Sequence, residues 1–407
     1  MKIFFKSIFI IIILFLIFVF HITFIGIETN KFNNQIQDRV QNVNKDLEIK
    51  LKEIKVIFNP LKLKLDIKTL GPKFKLNDKI IQLESIKSEI SLVSFFQKKY
   101  SLENLDVSTK SLEIKNLISF IRKFKNVPEL FILEKIINKG YLIADLELNF
   151  DNSGKIKEDF QIKGLIKDLQ ADILKNNKVE NLDLIFDFKK GDLTLQNIDA
   201  LINNKNFIAK KINVKKENKD FLINGDFNFD KLILNNEELN TFFKLQLDNF
   251  LIENVQLSAK NNFSFKLNKK YKINNFEIFS DMKIDKMFIN SINLKKFKEV
   301  FPQIKKDLNF IDHQVKIEYS KKQLLINGNG KVLFQDENDK INYFISKKKN
   351  ILAFNTLFEV DKNPIVFEIL NFDKDNNSKL TIELKGEHEL NNLTKIISLN
   401  IKESIKC

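Results

Sequence analysis

Residues 141–150 read YLIADLELNF, with Leu142, Ala144, Leu146, Leu148 and Phe150 on one parity and Tyr141, Ile143, Asp145, Glu147 and Asn149 on the other. A period of two is the signature of a strand with one apolar and one solvated face. The same alternation recurs at Leu61, Leu63, Leu65 and Ile67, at Leu182, Leu184, Phe186 and Phe188, at Phe263, Phe265 and Leu267, and at Val315, Ile317 and Tyr319. Segments such as Asp151-Asn152-Ser153-Gly154 and Asp336-Glu337-Asn338-Asp339 have the chemistry of turns between strands. A more specific strand recurs four times, apolar-x-apolar-x-Gly: Phe160-Ile162-Gly164, Phe221-Ile223-Gly225, Leu324-Ile326-Gly328 and Ile382-Leu384-Gly386. Two copies run on, through Phe227 and Phe229 and through Gly330, Val332 and Phe334. Each Gly is in phase with the apolar face, where it leaves space or lets the sheet bend. The intervals between copies are unequal, so this is not a strict solenoid repeat.

Helical periodicity is confined to a few places. Phe32, Ile36 and Val40 predict a short helix within residues 29–43. Leu117, Phe120, Ile121 and Phe124 open a helical stretch reaching Asn138, with Pro128 at a helix start and Gly140 beyond the end. Residues 294–308 predict a helix kinked at Pro302. Leu390, Leu393, Ile396, Ile397 and Ile401 predict an amphipathic helix near the C-terminus.

At the N-terminus, residues 7–27 carry no formal charge. As a helix they reach about 31 Å, the thickness of a bilayer's hydrocarbon core. The run exceeds the apolar region of a signal peptide and lacks a small-residue cleavage site, so a retained anchor is expected. Lys2 and Lys6 precede it, which places the N-terminus in the cytoplasm and the bulk outside.

The 407 residues include 67 Lys and Arg against 53 Asp and Glu, a formal charge of +14. Only Arg39 and Arg122 are Arg. The excess of Lys, Asn, Ile and Phe is what AT-rich coding writes, and scarce Arg argues against a nucleic-acid site. One Cys, at position 407, and three His support no disulfide framework, thiolate site or histidine metal site. His313 and His388 have carboxylate neighbours but no nucleophile context. Residues 373–384 fail the calcium-loop template, with Ser378 and Leu384 where Gly and Glu are needed. Gly154-Lys155 lacks the rest of a phosphate loop. No enzyme activity, metal or cofactor is expected.

A one-sided apolar sheet is covered by a second sheet, a helix layer or a ligand. The residues alone leave open whether this one closes into packed β domains or forms a lipid-holding groove. The stretch VIFNPLKLKLDIKTLGPKFKLNDKIIQLESIKSEISLVSFFQKKYSLENLDVSTKSLEIKNL, beginning at Val56, resembles the start of the AsmA-like family of envelope proteins. It includes a helical turn at 92–97 and a strand over 100–114, and the recurring Gly strands resemble that family too. The resemblance covers the N-terminal third best. It implies a single-pass inner-membrane protein of a Gram-negative cell, its bulk periplasmic, whose β-groove conducts phospholipid. The expected fold is mainly β: the transmembrane helix, then an elongated, curved antiparallel sheet forming a repeating groove with a few short amphipathic helices. The expected organisation is an anchor over 1–28, a β/helix unit over 29–139, a central groove region over 140–293 and a helix-plus-groove region over 294–407. The expected lining is Leu63, Leu65, Leu146, Leu148, Phe160, Ile162, Leu184, Phe186, Phe188, Phe221, Ile223, Phe227, Phe229, Phe263, Phe265, Ile326, Val332, Phe334, Ile382 and Leu384. Expected partners are phospholipid, the inner membrane through residues 7–27 and an outer-membrane or other envelope protein, with no nucleic acid. The competing expectation is an assembly factor whose closed β domains tether partners in outer-membrane protein biogenesis.

Overall fold

A computed structural model describes residues 2–97, 99, 102–124, 126–173, 177–243, 250–270, 272–291, 303–305, 307–368, 371–374, 378–389 and 394–405. The chain is mainly β and antiparallel, with few short helices after an N-terminal apolar one. It divides into two units, Met1–Asn204 and Lys205–Cys407.

The first unit opens with α1 (Lys2–Phe24), in which Lys6–Phe24 has a mean hydropathy of 2.9 and is long and apolar enough to cross a membrane. Then follow β1 (Ile27–Thr29), α2 (Asn33–Val43), β2 (Leu47–Lys50), β3 (Ile54–Asn59), β4 (Lys64–Leu70), β5 (Lys73–Leu76), β6 (Lys79–Ser91), α3 (Leu92–Phe96), β7 (Leu102–Thr109), β8 (Leu112–Glu113), α4 (Ile114–Phe124) and α5 (Pro128–Ile136). Four long strands complete it: β9 (Ile137–Asn149), β10 (Gln161–Ile173), β11 (Asn177–Lys189) and β12 (Asp192–Ile202). The ladder runs β1-β3-β4-β6-β7-β9-β10-β11-β12, and β2 and β5 join the first half of β6 in a side sheet.

The second unit is a meander of β13 (Lys205–Glu217), β14 (Asp220–Asn235), α6 (Asn236–Phe243), β15 (Phe250–Leu267), β16 (Ile273–Ser291), β17 (Asp307–Ser320), β18 (Gln323–Leu333), β19 (Asn338–Lys348) and β20 (Ile351–Val360). A small hairpin of β21 (Ile365–Phe367) and β22 (Phe372–Lys374) interrupts it before β23 (Ser378–Glu389) and β24 (Thr394–Ile405).

Four helical or strand expectations change. The stretch over 117–138 is two helices, the second starting at Pro128 as expected, with Val127 held extended before it (φ −112°, ψ 150°), but it ends at Ile136, so Asn138 and Gly140 lie in β9. The strand expected over 100–114 stops at Thr109, resumes only for Leu112–Glu113, and gives way to α4 at Ile114. The helix expected over 294–308 lies mostly outside the described residues, and its last residue, Leu308, is in β17. The C-terminal amphipathic helix is overturned: Ile396, Ile397 and Ile401 lie in β24, while Leu390 and Leu393 are outside the described residues. Ile397, Leu399 and Ile401 also alternate, and pairing Leu399 with Leu384 and Ile401 with Ile382 satisfies the backbone along β23.

The long strands share an irregularity that the alternation alone does not announce. Asp168, Asn181, Asn197, Lys231 and Asp312 adopt left-handed φ values of 50–53° inside strands, each at a register shift. Each is a β-bulge, and the apolar parity changes across it. In β10, Ile162, Gly164 and Ile166 precede the bulge and Leu169 and Ala171 follow it. In β14, Phe227 and Phe229 give way to Leu232 and Leu234. The extra residue keeps both segments on one face, where an unbroken strand would turn the second outward.

The core sits on the far side of these bulges. In the first unit Ile137, Leu169 and Ala171 pack with Ile114 and Ile118 of α4 and with Leu130 of α5. In the second, Leu232, Leu234, Val255 and Leu257 pack with Leu239 of α6, and Val332, Val360 and Leu380 with Ile365 of the small hairpin. The described helices and hairpin thus cap one end of each apolar face.

Candidate functional site

Directly opposed residues on antiparallel strands project to the same face, so register alone shows which side chains stand together. In the first unit one row reads Ile54, Thr69, Ile86, Val107, Leu146, Ile162, Phe188, Leu193 across eight strands. Beside it run Ala144, Gly164, Phe186, Leu195 and Leu142, Ile166, Leu184. At the opposite end of the strands from α4 and α5 lies Phe58, Leu65, Ile90, Leu102, with Leu148 opposite Leu105 nearby. Phe160, just before β10, places its ring 5.6 Å from that of Phe188.

The second unit repeats the arrangement. One row is Phe229, Ala259, Met282, Val315, Gly328, Tyr343, Thr356, Leu384, Leu399, and another is Phe227, Asn261, Ser280, Ile317, Ile326, Ile345, Phe354, Gly386. Ile223 opposes Phe265, Phe221 opposes Leu267, and Phe358 opposes Ile382. Val332 and Phe334 belong to the capped end, the latter edge-on to Phe358 at 5.2 Å. Rings form a chain from Phe207 through Phe227, Phe263, Phe265 and Phe276 to Tyr319, with centroids 5.7–6.4 Å apart.

The expected lining residues therefore share faces within their units, with one correction. Leu63 is not in a strand: it ends the β3–β4 turn with φ 51° and is 48% exposed, beside Leu61 at 96%. The turn begins at Pro60, which cannot donate to a ladder, and the apolar alternation through 61–67 passed over it. Phe207, Phe276, Tyr343 and Phe354 join the faces without having been expected as lining. Tyr343 and Phe354 each have a polar neighbour on one side only, Asn342 and Asn355, with Phe344 and Ala353 on the other, so alternation does not single them out. Asn261 and Ser280, nearly buried in mid-row, could not be recognised without the register. Asn261 donates its amide to the Phe227 carbonyl at 3.1 Å.

Burial grades along each strand. Beyond the bulges the side chains are buried, whereas Leu146, Leu148, Ile162, Phe186, Phe188, Ile223, Phe227, Phe229, Phe263, Phe265 and Ile326 are only half-buried. The opposite face carries cross-strand ion pairs such as Lys163–Glu147 (3.7 Å) and Lys379–Glu359 (2.6 Å). A cleft of about 650 Å³ in the second unit draws its polar lining from that alternate parity, including Asn228, Lys260, Asp281, Lys283, Lys316 and Asn329. Its mixed charge gives it no preference for an ion of one sign.

Titratable groups are buried on the apolar face too: Asp339 opposite Val332 at the capped end, and His313 in β17. His313 is 1% exposed, its Nε2 2.9 Å from the Lys331 carbonyl and its Nδ1 3.3 Å from the Tyr343 hydroxyl. Burial holds its pKa below the ordinary imidazole value, and burial likewise raises that of Tyr343. These two contacts satisfy a polar group packed within the sheet.

No known family, curated protein or solved structure matches the chain.

Proposed function

We propose that this chain is a membrane-anchored lipid carrier. Its apolar sheet face holds acyl chains in a groove and moves phospholipid across the periplasm of a Gram-negative cell, in the manner the AsmA-like resemblance implies. One observation carries this reading: row after row of paired apolar side chains stays half-exposed, while the described helices cap only one end of each face. A folded chain seldom leaves so large a contiguous apolar surface to water without an occupant.

The chemistry suits an acyl chain. Each buried methylene contributes about 0.8 kcal/mol, without directional demand. A face of Phe, Leu and Ile therefore retains a chain while allowing it to slide from row to row. The phosphate headgroup stays at the solvated margin, and nothing in this arrangement supplies direction or energy, so transfer is passive down a gradient. Lys2 and Lys6, in the first turns of α1 ahead of the uncharged run 7–27, support a cytoplasmic N-terminus, with the sheet on the other side of the inner membrane.

The test is photocrosslinking in the intact membrane-bound chain, with a benzophenone amino acid at Phe186 or Phe227 and mass spectrometry of the adducts. Phospholipid adducts are expected at both positions and not at Ile185 or Phe279, which stand on the opposite parity and are 45% and 46% exposed. Adducts to protein alone would replace this reading with that of a tether or assembly factor.

A further inference from the structure

The β3–β4 turn folds back alongside α1. Ile27 of β1 pairs with Val56, so β3 runs from that pair back toward the helix. A cleft of about 450 Å³ between them is lined by Leu16, Phe20 and Phe24 from the helix and by Ile57, Pro60 and Leu61 from the hairpin. Leu16 precedes Phe24 by eight residues, about 12 Å along a helix axis, whereas one leaflet's hydrocarbon is about 15 Å deep. Whatever packs against Leu16 and Phe20 thus lies at leaflet depth if α1 spans.

The same end carries the two most exposed apolar side chains outside α1 among the described residues, Leu61 and Phe96, with Phe95 beside them. Leu61 is 96% exposed, Phe96 78% and Phe95 62%. Residues 92–96 form the short helix α3, held to the turn by the Leu92 N–H donating to the Leu63 carbonyl at 3.0 Å. Exposed Lys62 and Lys99 accompany them, placed to reach anionic headgroups from an inserted tip.

We propose that the β3–β4 turn and α3 form an apolar tip inserted in the bilayer leaflet around the end of α1, delivering lipid to the sheet. The occupant is lipid because the tip shares a cleft with the span itself. The row Phe58, Leu65, Ile90, Leu102 begins immediately beyond the turn, on the sheet face opposite to that of Ile57, so an acyl chain would reach it by passing around the apolar tip. The proposal rests on α1 being a membrane span.

The experiment uses the full chain in a Cys407→Ser background, reconstituted into phosphatidylcholine–phosphatidylglycerol vesicles containing spin-labelled lipid. A nitrobenzoxadiazole dye is attached through Leu61→Cys, Phe96→Cys or, as control, Asp78→Cys. Asp78 precedes β6, whose other end leads into α3, so it lies about 40 Å away along that strand. Labels at 61 and 96 are expected to shift to the blue and to lose at least half their emission to the quencher, while the label at 78 stays aqueous. Vesicles that carry the chain on flotation but leave all three labels aqueous, or quench all three alike, overturn the tip and leave the anchor standing. A chain that fails to float with the vesicles overturns both.

Discussion

A Cβ added to Gly328 would clash with the ring edge and hydroxyl of Tyr343, its direct partner on β19. At Gly330 the obstacle is His313, and at Gly386 it is Phe354, 2.5 Å away. At Gly225 it is backbone, the Lys211 carbonyl at 2.5 Å. The recurring glycines thus give aromatic rings or close strands their room, as aromatic rescue of strand glycines does. Gly328→Ala is expected to cost about 1–3 kcal/mol by overpacking. In the Gly328→Ala/Tyr343→Ala pair the two costs are expected to be sub-additive, read as unfolding midpoints in a double-mutant cycle. His313 adds a pH dependence of definite sign. Its folded pKa is lowered, so below about 6.5 the unfolded chain binds a proton that the fold does not. Stability should be intact above that value and decline as pH falls toward the folded pKa. His313→Gln should make the thermal midpoint less sensitive between pH 7.5 and 5.5, and an unchanged slope would remove His313 as its source.

Among the elements, the bulged strands matter most. Asp168 holds φ 50°, and its N–H donates to Asp183 on the neighbouring strand at 2.9 Å. Asp168→Gly keeps that bond and should be tolerated, whereas Asp168→Val places a β-branched residue in the left-handed region at roughly 1–2 kcal/mol. Deleting Asp168 should be far worse, because Leu169 and Ala171 would leave the face that α4 and α5 cap; circular dichroism and limited proteolysis of the first unit would register the loss. These bulges also mark the limit of what the amino-acid order disclosed. Alternation located Leu146, Ile162, Phe186 and Phe227 in strands and on apolar parities, because period two survives between bulges. It could not supply register, so the rows and the buried Asn261–Ser280 pair were out of reach. Leu61 and Leu63 kept the strand's parity within a turn, and Ile396, Ile397 and Ile401 fitted a helix as well as a strand until β23 provided the pairing. A buried network was equally silent. Lys374, 0% exposed, donates to the carbonyls of Asp361 and Asn363 at 3.0 and 3.1 Å, beside buried Asp339. Lys374→Ala should cost on the order of 3–5 kcal/mol by stranding those partners, measured as the unfolding midpoint of the second unit.

For the molecule as a whole, the question is where the cost of a charge on the apolar face falls. Phe227 touches the rings of Phe207, Phe229 and Phe263 at 5.5–5.8 Å, yet is itself only half-buried. In a closed β domain Phe227→Asp would put a carboxylate in a dry core, and folding would bear the whole desolvation penalty. On a face that water reaches when no lipid is bound, the same carboxylate stays hydrated, and the fold loses only ring contacts. The penalty then appears when an acyl chain arrives and displaces that water. Phe227→Asp is therefore expected to retain its β circular dichroism and its membrane association, while phospholipid adducts captured at neighbouring Phe263 fall at least tenfold. Phe227→Leu, apolar but smaller, should keep most of them. Loss of the β signal in Phe227→Asp would count for a sealed core, and undiminished adducts at Phe263 would show that acyl chains do not pass over position 227.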